Sequence, residues 1–215
     1  MNTIKSILSI FLIALLAAFF TACMKSDPAP AVLTATTFKN LAADPPSGGY
    51  NPANGQPIGV TKKFTFFSFK TGAIVANADS ASVKWDIGFN GTIIIVNSST
   101  SGPGAAGAIV QTGIFDEITT APDAGYLQDN KNSTTAKYAI LTGSGNGWYN
   151  YSQATNIVSP IAGRVLIFKT ADSKYAKMEI LSYYQDAPVT PTSTTKDRYY
   201  TFRYIYQADG SKKLK

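Results

Sequence analysis

The sequence predicts an all-β protein: a single domain of antiparallel strands, arranged as a sandwich or a curved sheet. Three observations carry this. Aromatics reach 12%, with twelve Tyr and twelve Phe, while charged residues stand at only 15%, a balance that suits a packed β-domain and opposes intrinsic disorder. Runs rich in Val, Ile, Phe and Tyr alternate with turn residues over 164–206, reading RVLIFKT-ADSK-YAKMEILSYY and then DRYYTFRYIY, the pattern of an antiparallel meander. No segment shows the 3.6-residue apolar period of a long helix.

The chain opens on a leader. Lys5 supplies a positive n-region, 7–20 is an almost unbroken apolar run, and Thr21-Ala22-Cys23 follows. The run is short for a stable span and ends at a cleavage-like site rather than at stop-transfer charges. The placement of Cys23, the chain's single cysteine, resembles a bacterial lipobox, with Phe20 where Leu is usual. That resemblance implies a signal peptide over 1–22 and attachment to a membrane through lipid on Cys23. The alternative is an ordinary secretory signal with an incidental cysteine. The Pro- and Ala-rich stretch that completes 23–32 reads as a flexible tether, and 33–215 as the β-domain. With Cys23 lipidated, no thiol remains for a disulfide, a metal site or a nucleophile.

The elements then follow in order. A first short strand is expected over 33–38. Residues 42–59 hold four prolines and four glycines and read as a long loop, in which Tyr50 is a candidate to cap an apolar patch. A strong strand follows over 61–70, with Phe64 and Phe66 on one face and Phe67 and Phe69 on the other. Over 83–89, Val83, Trp85, Ile87 and Phe89 alternate as one buried face. Asn90-Gly91 is a hairpin signal leading into the apolar run 92–97. Residues 98–107 are a glycine-rich loop that lacks the spacing and the Lys-Ser/Thr of a phosphate loop. Further strands are expected over 108–111, 137–141 and 148–151, a brief helix or bulge over 114–118, and a crossover over 153–160. In the terminal meander, 164–170 looks buried on both faces. Residues 175–182 alternate, with Met178 in phase with Ala176 and Ile180, and Tyr200, Phe202, Tyr204 and Tyr206 form one aromatic face.

The chemistry available is narrow. There is no histidine, which removes imidazole acid/base catalysis, His-containing triads and His ligands to zinc or haem. The adjacent Asp116 and Glu117 point to opposite faces of a strand, and Asp123, Asp129 and Asp172 do not match a calcium loop. The chain is read as no enzyme; a hydrolase would require two carboxylates meeting across a cleft from distant positions. The formal charge is +6, and loss of residues 1–22 removes only Lys5, leaving 18 basic and 13 acidic residues and +5. Those basic residues are scattered rather than striped, so no nucleic-acid surface is expected.

Two groups of segments carry a resemblance to a family. SPIAGRVLIFKTADSKYAKMEILSYYQDAP and YYTFRYIYQADGS resemble the C-terminal half of HmuY-like proteins, surface lipoproteins of Bacteroidota. FTFFSFKTGAIV and VKWDIGF resemble their N-terminal strands, so the likeness spans roughly 60–211. The family's best-known member is a haemophore, which captures haem and passes it to an outer-membrane receptor. The resemblance therefore implies a non-enzymatic, surface-exposed outer-membrane lipoprotein in haem and iron acquisition, with such a receptor as partner. It also implies where ligands belong. In the haemophore two histidines hold the iron, one before and one after a Trp-containing strand. GWYNYSQ, residues 147–153, looks like that strand, and Gln153 stands in the second ligand's place; the first ligand's region looks shortened to 129–137. Bis-histidine ligation within one chain is ruled out.

Three routes to haem or a porphyrin remain. Met178 offers a thioether, although its strand phase argues for core packing. Tyr126, Tyr138, Tyr149 or Tyr151 offers a phenolate. A flat tetrapyrrole can also be held by stacking alone, in a cleft lined by Tyr151, Gln153 and residues near Tyr126. The alternative is a family member that has lost haem and binds another ligand, a glycan or a protein partner.

Overall fold

The long C-terminal ladder organises the molecule. A computed structural model describes residues 32–134 and 137–215, and Val32–Lys215 forms one compact unit. The proposed signal peptide, Cys23 and the tether up to residue 31 lie outside the described residues. The strands are β1 (Thr36–Ala42), β2 (Thr65–Ser68), β3 (Ala73–Val75), β4 (Ile87–Asn90), β5 (Ile93–Val96), β6 (Gly107–Thr112), β7 (Tyr149–Ser152), β8 (Ile157–Pro160), β9 (Arg164–Lys169), β10 (Tyr175–Tyr184) and β11 (Asp197–Gln207). Among the described residues the helical content is a single 3₁₀ turn at Asn77–Asp79. The fold is all-β.

Two antiparallel sheets do most of the work. One has five strands in the order β1-β11-β10-β9-β6, the other four in the order β3-β2-β4-β5. Their facing sides meet in the main core. Phe67, Phe69, Ile87, Phe89, Ile94 and Val96 come from the smaller sheet and its margins, and Leu166, Phe168, Met178, Tyr200, Phe202 and Tyr204 from the larger. Phe67 stands edge-on to both Phe202 and Tyr204, with centroids 5.2 and 5.6 Å apart, a favoured aromatic geometry. Each such buried side chain contributes about 1.5–3 kcal/mol of hydrophobic stabilisation. The expected aromatic face of β11 is thus the floor of the core.

The outer face of the larger sheet is covered too. Val165, Ile167 and Ile205 pack there with Phe115, Ile118, Ala121 and Leu214. This explains why β9 is apolar on both sides. It also buries Lys177, which is 1% exposed. Its ammonium donates to the carbonyls of Phe115 at 2.6 Å and Ile118 at 2.8 Å and lies 4.3 Å from the Phe115 ring centroid. Burial lowers the pKa of this amine, while the two carbonyls and the ring supply the partners a buried cation needs.

Several local expectations are corrected. The strong strand over 61–70 shrinks to β2, because the backbone amides of Thr61 and Lys62 bind the Asp44 carboxylate instead of a neighbouring strand. Trp85 does not share a face with Ile87 and Phe89. It packs with Phe66 and Ile95 on the outer side of the smaller sheet, and Val83 is exposed. The ladder is irregular there: Phe67 pairs with Ile87, yet its carbonyl accepts the N–H of Asp86. Residues 137–141 form no strand; the amide of Ala139 binds the buried Asp129 carboxylate, which also accepts from Val96. The crossover expected over 153–160 is a hairpin instead, since β8 turns back onto β7 with Tyr151 opposite Val158.

Candidate functional site

The β7–β8 hairpin stands beside two long loops, and the space between them is a cleft of about 430 Å³ lined by Tyr50, Tyr151, Val158, Tyr184, Ser193 and Asp197 among others. A second hollow, of about 450 Å³, is also lined by Tyr50 and shares Ser193, Thr195 and Asp197 with the first. Tyr50 and Asp197 therefore line both concavities. Volumes of this size suit a small molecule.

Each wall has a local cause. Tyr50 sits in the Pro- and Gly-rich excursion from Asp44 to Lys62. That loop is closed at its base by one side chain. The Asp44 carboxylate accepts the Thr61 amide at 2.7 Å, the Thr61 hydroxyl at 2.8 Å and the Lys62 amide at 2.7 Å. These bonds hold the carboxyl below its usual range against the opposing effect of desolvation. Inside the loop, Ile58 bonds two adjacent residues across the neck: its C=O accepts the Gly48 N–H and its N–H donates to the Gly49 C=O. The excursion therefore has joined ends and its own internal backbone bonds rather than running as an open tether.

The opposite wall is the connection from β10 to β11. Asn40 fixes it, giving its side-chain amide to Asp186 and accepting the Asp186 backbone N–H, each at 2.8 Å. At the start of β11, Arg198 takes a φ of 61°, a left-handed conformation that a non-glycine residue adopts only when its surroundings enforce it. Here the Arg198 carbonyl accepts from Ala43 and its guanidinium donates to the Asp44 carbonyl at 3.0 Å. This break in the strand lets two successive side chains, Asp197 and Arg198, act on one group.

That group is the Tyr50 phenol. Its hydroxyl donates to the Asp197 carboxylate at 2.5 Å. Desolvation and the Asp197 charge push its pKa upward, and the Arg198 charge opposes them. Across the cleft, the Tyr151 hydroxyl donates to the Asn156 side-chain oxygen at 2.7 Å. The Tyr184 hydroxyl accepts the Val158 amide at 2.9 Å, which docks β8 against β10.

The residues singled out from sequence do not converge. Tyr151 lines the cleft and is 45% exposed. Gln153 is exposed in the β7–β8 turn just beyond it. Tyr126 lies elsewhere, half-buried against Tyr175 with its hydroxyl donating to the Pro122 carbonyl, and lines a separate hollow with Lys169. Met178 is 0% exposed within the main core. Tyr149 is buried against Trp148, and Tyr138 packs beside the outer cluster of the smaller sheet. The pairing of Tyr50 with Asp197 escaped sequence reading because 147 positions separate them. The available signal was a lone tyrosine in a loop too long to be idle. Among the described residues, no three His, Cys, Asp or Glu side chains cluster as metal ligands.

Comparison with known proteins gives a family and distant structural likenesses. A family model described as HmuY protein matches residues 60–204. No curated protein matches the chain. Among solved structures, one from Bacteroides vulgatus, described as an HmuY-like heme binding protein, is 14% identical, covers 81% of this chain and 91% of its own, and has a TM-score of 0.45. The apo HmuY analog of Tannerella forsythia is 14% identical, with coverage of 82% and 96% and a TM-score of 0.46. A protein from Bacteroides fragilis described as a lipoprotein is 13% identical, with coverage of 84% and 94% and a TM-score of 0.46.

Proposed function

The chain belongs to the HmuY family, and on that premise we propose that it is a non-enzymatic lipoprotein that binds haem or a porphyrin for haem and iron acquisition, without bis-histidine ligation. The observation that carries this reading is the cleft lined by Tyr50, Tyr151 and Tyr184. It is built on the hairpin that holds 147–153, the segment in which the resemblance places an axial ligand. Aromatic walls with hydroxyl and amide groups at the rim suit a flat apolar ring with polar substituents. The protein is anchored through Cys23 in the outer membrane, faces outward, and delivers its cargo to an outer-membrane receptor. The leader, its terminal cysteine and the family support these points.

The complete lack of histidine and the enclosure of Met178 favour a second reading, in which this member has lost haem and its cleft holds a glycan or a protein segment. Titration of residues 26–215 with haem and with metal-free protoporphyrin, followed by the Soret band and by tyrosine and tryptophan fluorescence, separates the two. Saturable binding of either tetrapyrrole is the expected result. If neither binds, the haem reading fails and the second stands.

A further inference from the structure

We propose that the two hollows around Tyr50 bind a neutral oligosaccharide, which stacks on Tyr50 and Tyr151 and is hydrogen-bonded by Asp197 and Asn156. The inference rests on the second reading above and names its ligand. A sugar ring presents an apolar C–H face together with a rim of hydroxyls that both donate and accept. A site for it therefore needs exposed aromatic surface held still, with polar groups beside it. Tyr50 and Tyr151 supply the aromatic surface. Each is 45% exposed, yet each hydroxyl is already pinned, to Asp197 and to Asn156 respectively. The Tyr151 backbone amide also donates to the Ser144 hydroxyl at 2.8 Å. Both rings are fixed before a ligand arrives, so little side-chain freedom is lost on binding.

The polar groups follow from the same bonds. Tyr50 engages Oδ2 of Asp197, and Tyr151 engages Oδ1 of Asn156. The second Asp197 oxygen and the Asn156 side-chain N–H groups have no hydrogen-bond partner among the described residues, so they offer an acceptor and a donor to sugar hydroxyls. The wall at 192–195 reads Thr-Ser-Thr-Thr, and its hydroxyls serve a hydroxylated ligand as donors or as acceptors. Asp197 is the one charged side chain lining the cleft among the described residues, which opposes an anionic ligand and favours a neutral one. The two hollows share Tyr50, Ser193, Thr195 and Asp197. They adjoin, and an occupant of both is a short chain of sugars rather than a single ring.

The test uses the full chain in a detergent without a sugar head group, as wild type and as Tyr151→Ala, Tyr151→Phe and Asp197→Ala. Wild type is applied to an array of neutral oligosaccharides of hexoses, pentoses and N-acetylhexosamines, with uronic-acid oligosaccharides beside them. The tightest neutral binder is then titrated into each variant by calorimetry, and wild type is titrated with metal-free protoporphyrin. Neutral oligomers should bind in preference to acidic ones and to single sugars. Tyr151→Ala should weaken binding by about 10-fold or more while Tyr151→Phe, which keeps the ring, changes it by less than about threefold. Asp197→Ala should weaken it by about 10- to 100-fold. In wild type, saturation of tyrosine ring protons should transfer to sugar C–H protons in NMR, a readout that needs no variant to fold. Absence of neutral binding on the array, or binding indifferent to both alanine variants and without that transfer, overturns the inference. If protoporphyrin then binds, the second reading falls with it; if it does not, that reading survives with a protein segment as the ligand. Binding of both compounds with mutual displacement supports the oligosaccharide site and overturns only the loss of tetrapyrrole.

Discussion

Asp86 shows what a single buried charge does in this protein. Its carboxylate accepts the backbone amides of Phe69 at 2.8 Å and Ala171 at 2.9 Å, tying the end of β2 to the turn between β9 and β10. Burial outweighs those bonds and raises its pKa to about 6, with the nearby Asp172 charge adding to the rise. Between the ordinary carboxylate value and that one, the folded protein keeps a proton that the unfolded chain has released. Its contribution to stability is therefore largest near pH 4 and declines as pH rises through 6, by on the order of 3 kcal/mol. Asp86→Asn cannot titrate. Relative to wild type, it should gain stability as pH rises from 4 to 7, which urea unfolding at several pH values will measure. A constant difference across that range would refute the assignment. Neither this residue nor Lys177 announces itself in sequence: both alternate like surface residues, and only remote segments turn them inward.

The strands differ in how much of them sequence alone reveals. Asn90-Gly91 marked the β4–β5 hairpin, yet Asn90 pairs with Ile93, so the two turn residues are Gly91 and Thr92. Gly91, at φ 53°, opens the turn as the type II′ geometry requires. Its carbonyl also accepts the buried Tyr200 hydroxyl at 2.8 Å. Gly91→Ala forces a β-carbon into the left-handed region and should cost roughly 1–2 kcal/mol, read as a lower urea midpoint with an unchanged slope. The alternation predicted for β10 holds through Ile180 and then fails. Register shifts around Ser182 bring Tyr183 and Tyr184 into the core together, and Tyr184 reaches the cleft only through them. Period-two reasoning sees regular ladders; bulges, which aimed that side chain, leave no local mark. The same limit hid the candidate site. Tyr151 was legible because its strand is aromatic and short-range, whereas the walls opposite it come from loops that meet only after folding.

The sandwich has two cores on one shared wall. Within β9, Leu166 and Phe168 face the smaller sheet, while Val165 and Ile167 face the cluster around Phe115. Loss of either core exposes the other side of the same strand, so the molecule should unfold in one step. Phe202→Ala, at the centre of the aromatic floor, should cost about 3–5 kcal/mol. Fluorescence from Trp85 and Trp148, which sit in different clusters, should still report a common midpoint. Separate midpoints would mean that the smaller sheet melts on its own. The antiparallel meander and its aromatic face were legible from residue pattern because they are the most regular part of the chain.

The knot of bonds at Asp44 has a consequence for how this scaffold diversifies. The segment that presents Tyr50 leaves the sandwich and returns to it at a single carboxylate. Replacing everything between those two points re-registers no strand and opens no core. The excursion is in this sense separable from the scaffold: a different segment could be carried between the same two anchor points while the sheets beneath stay as they are.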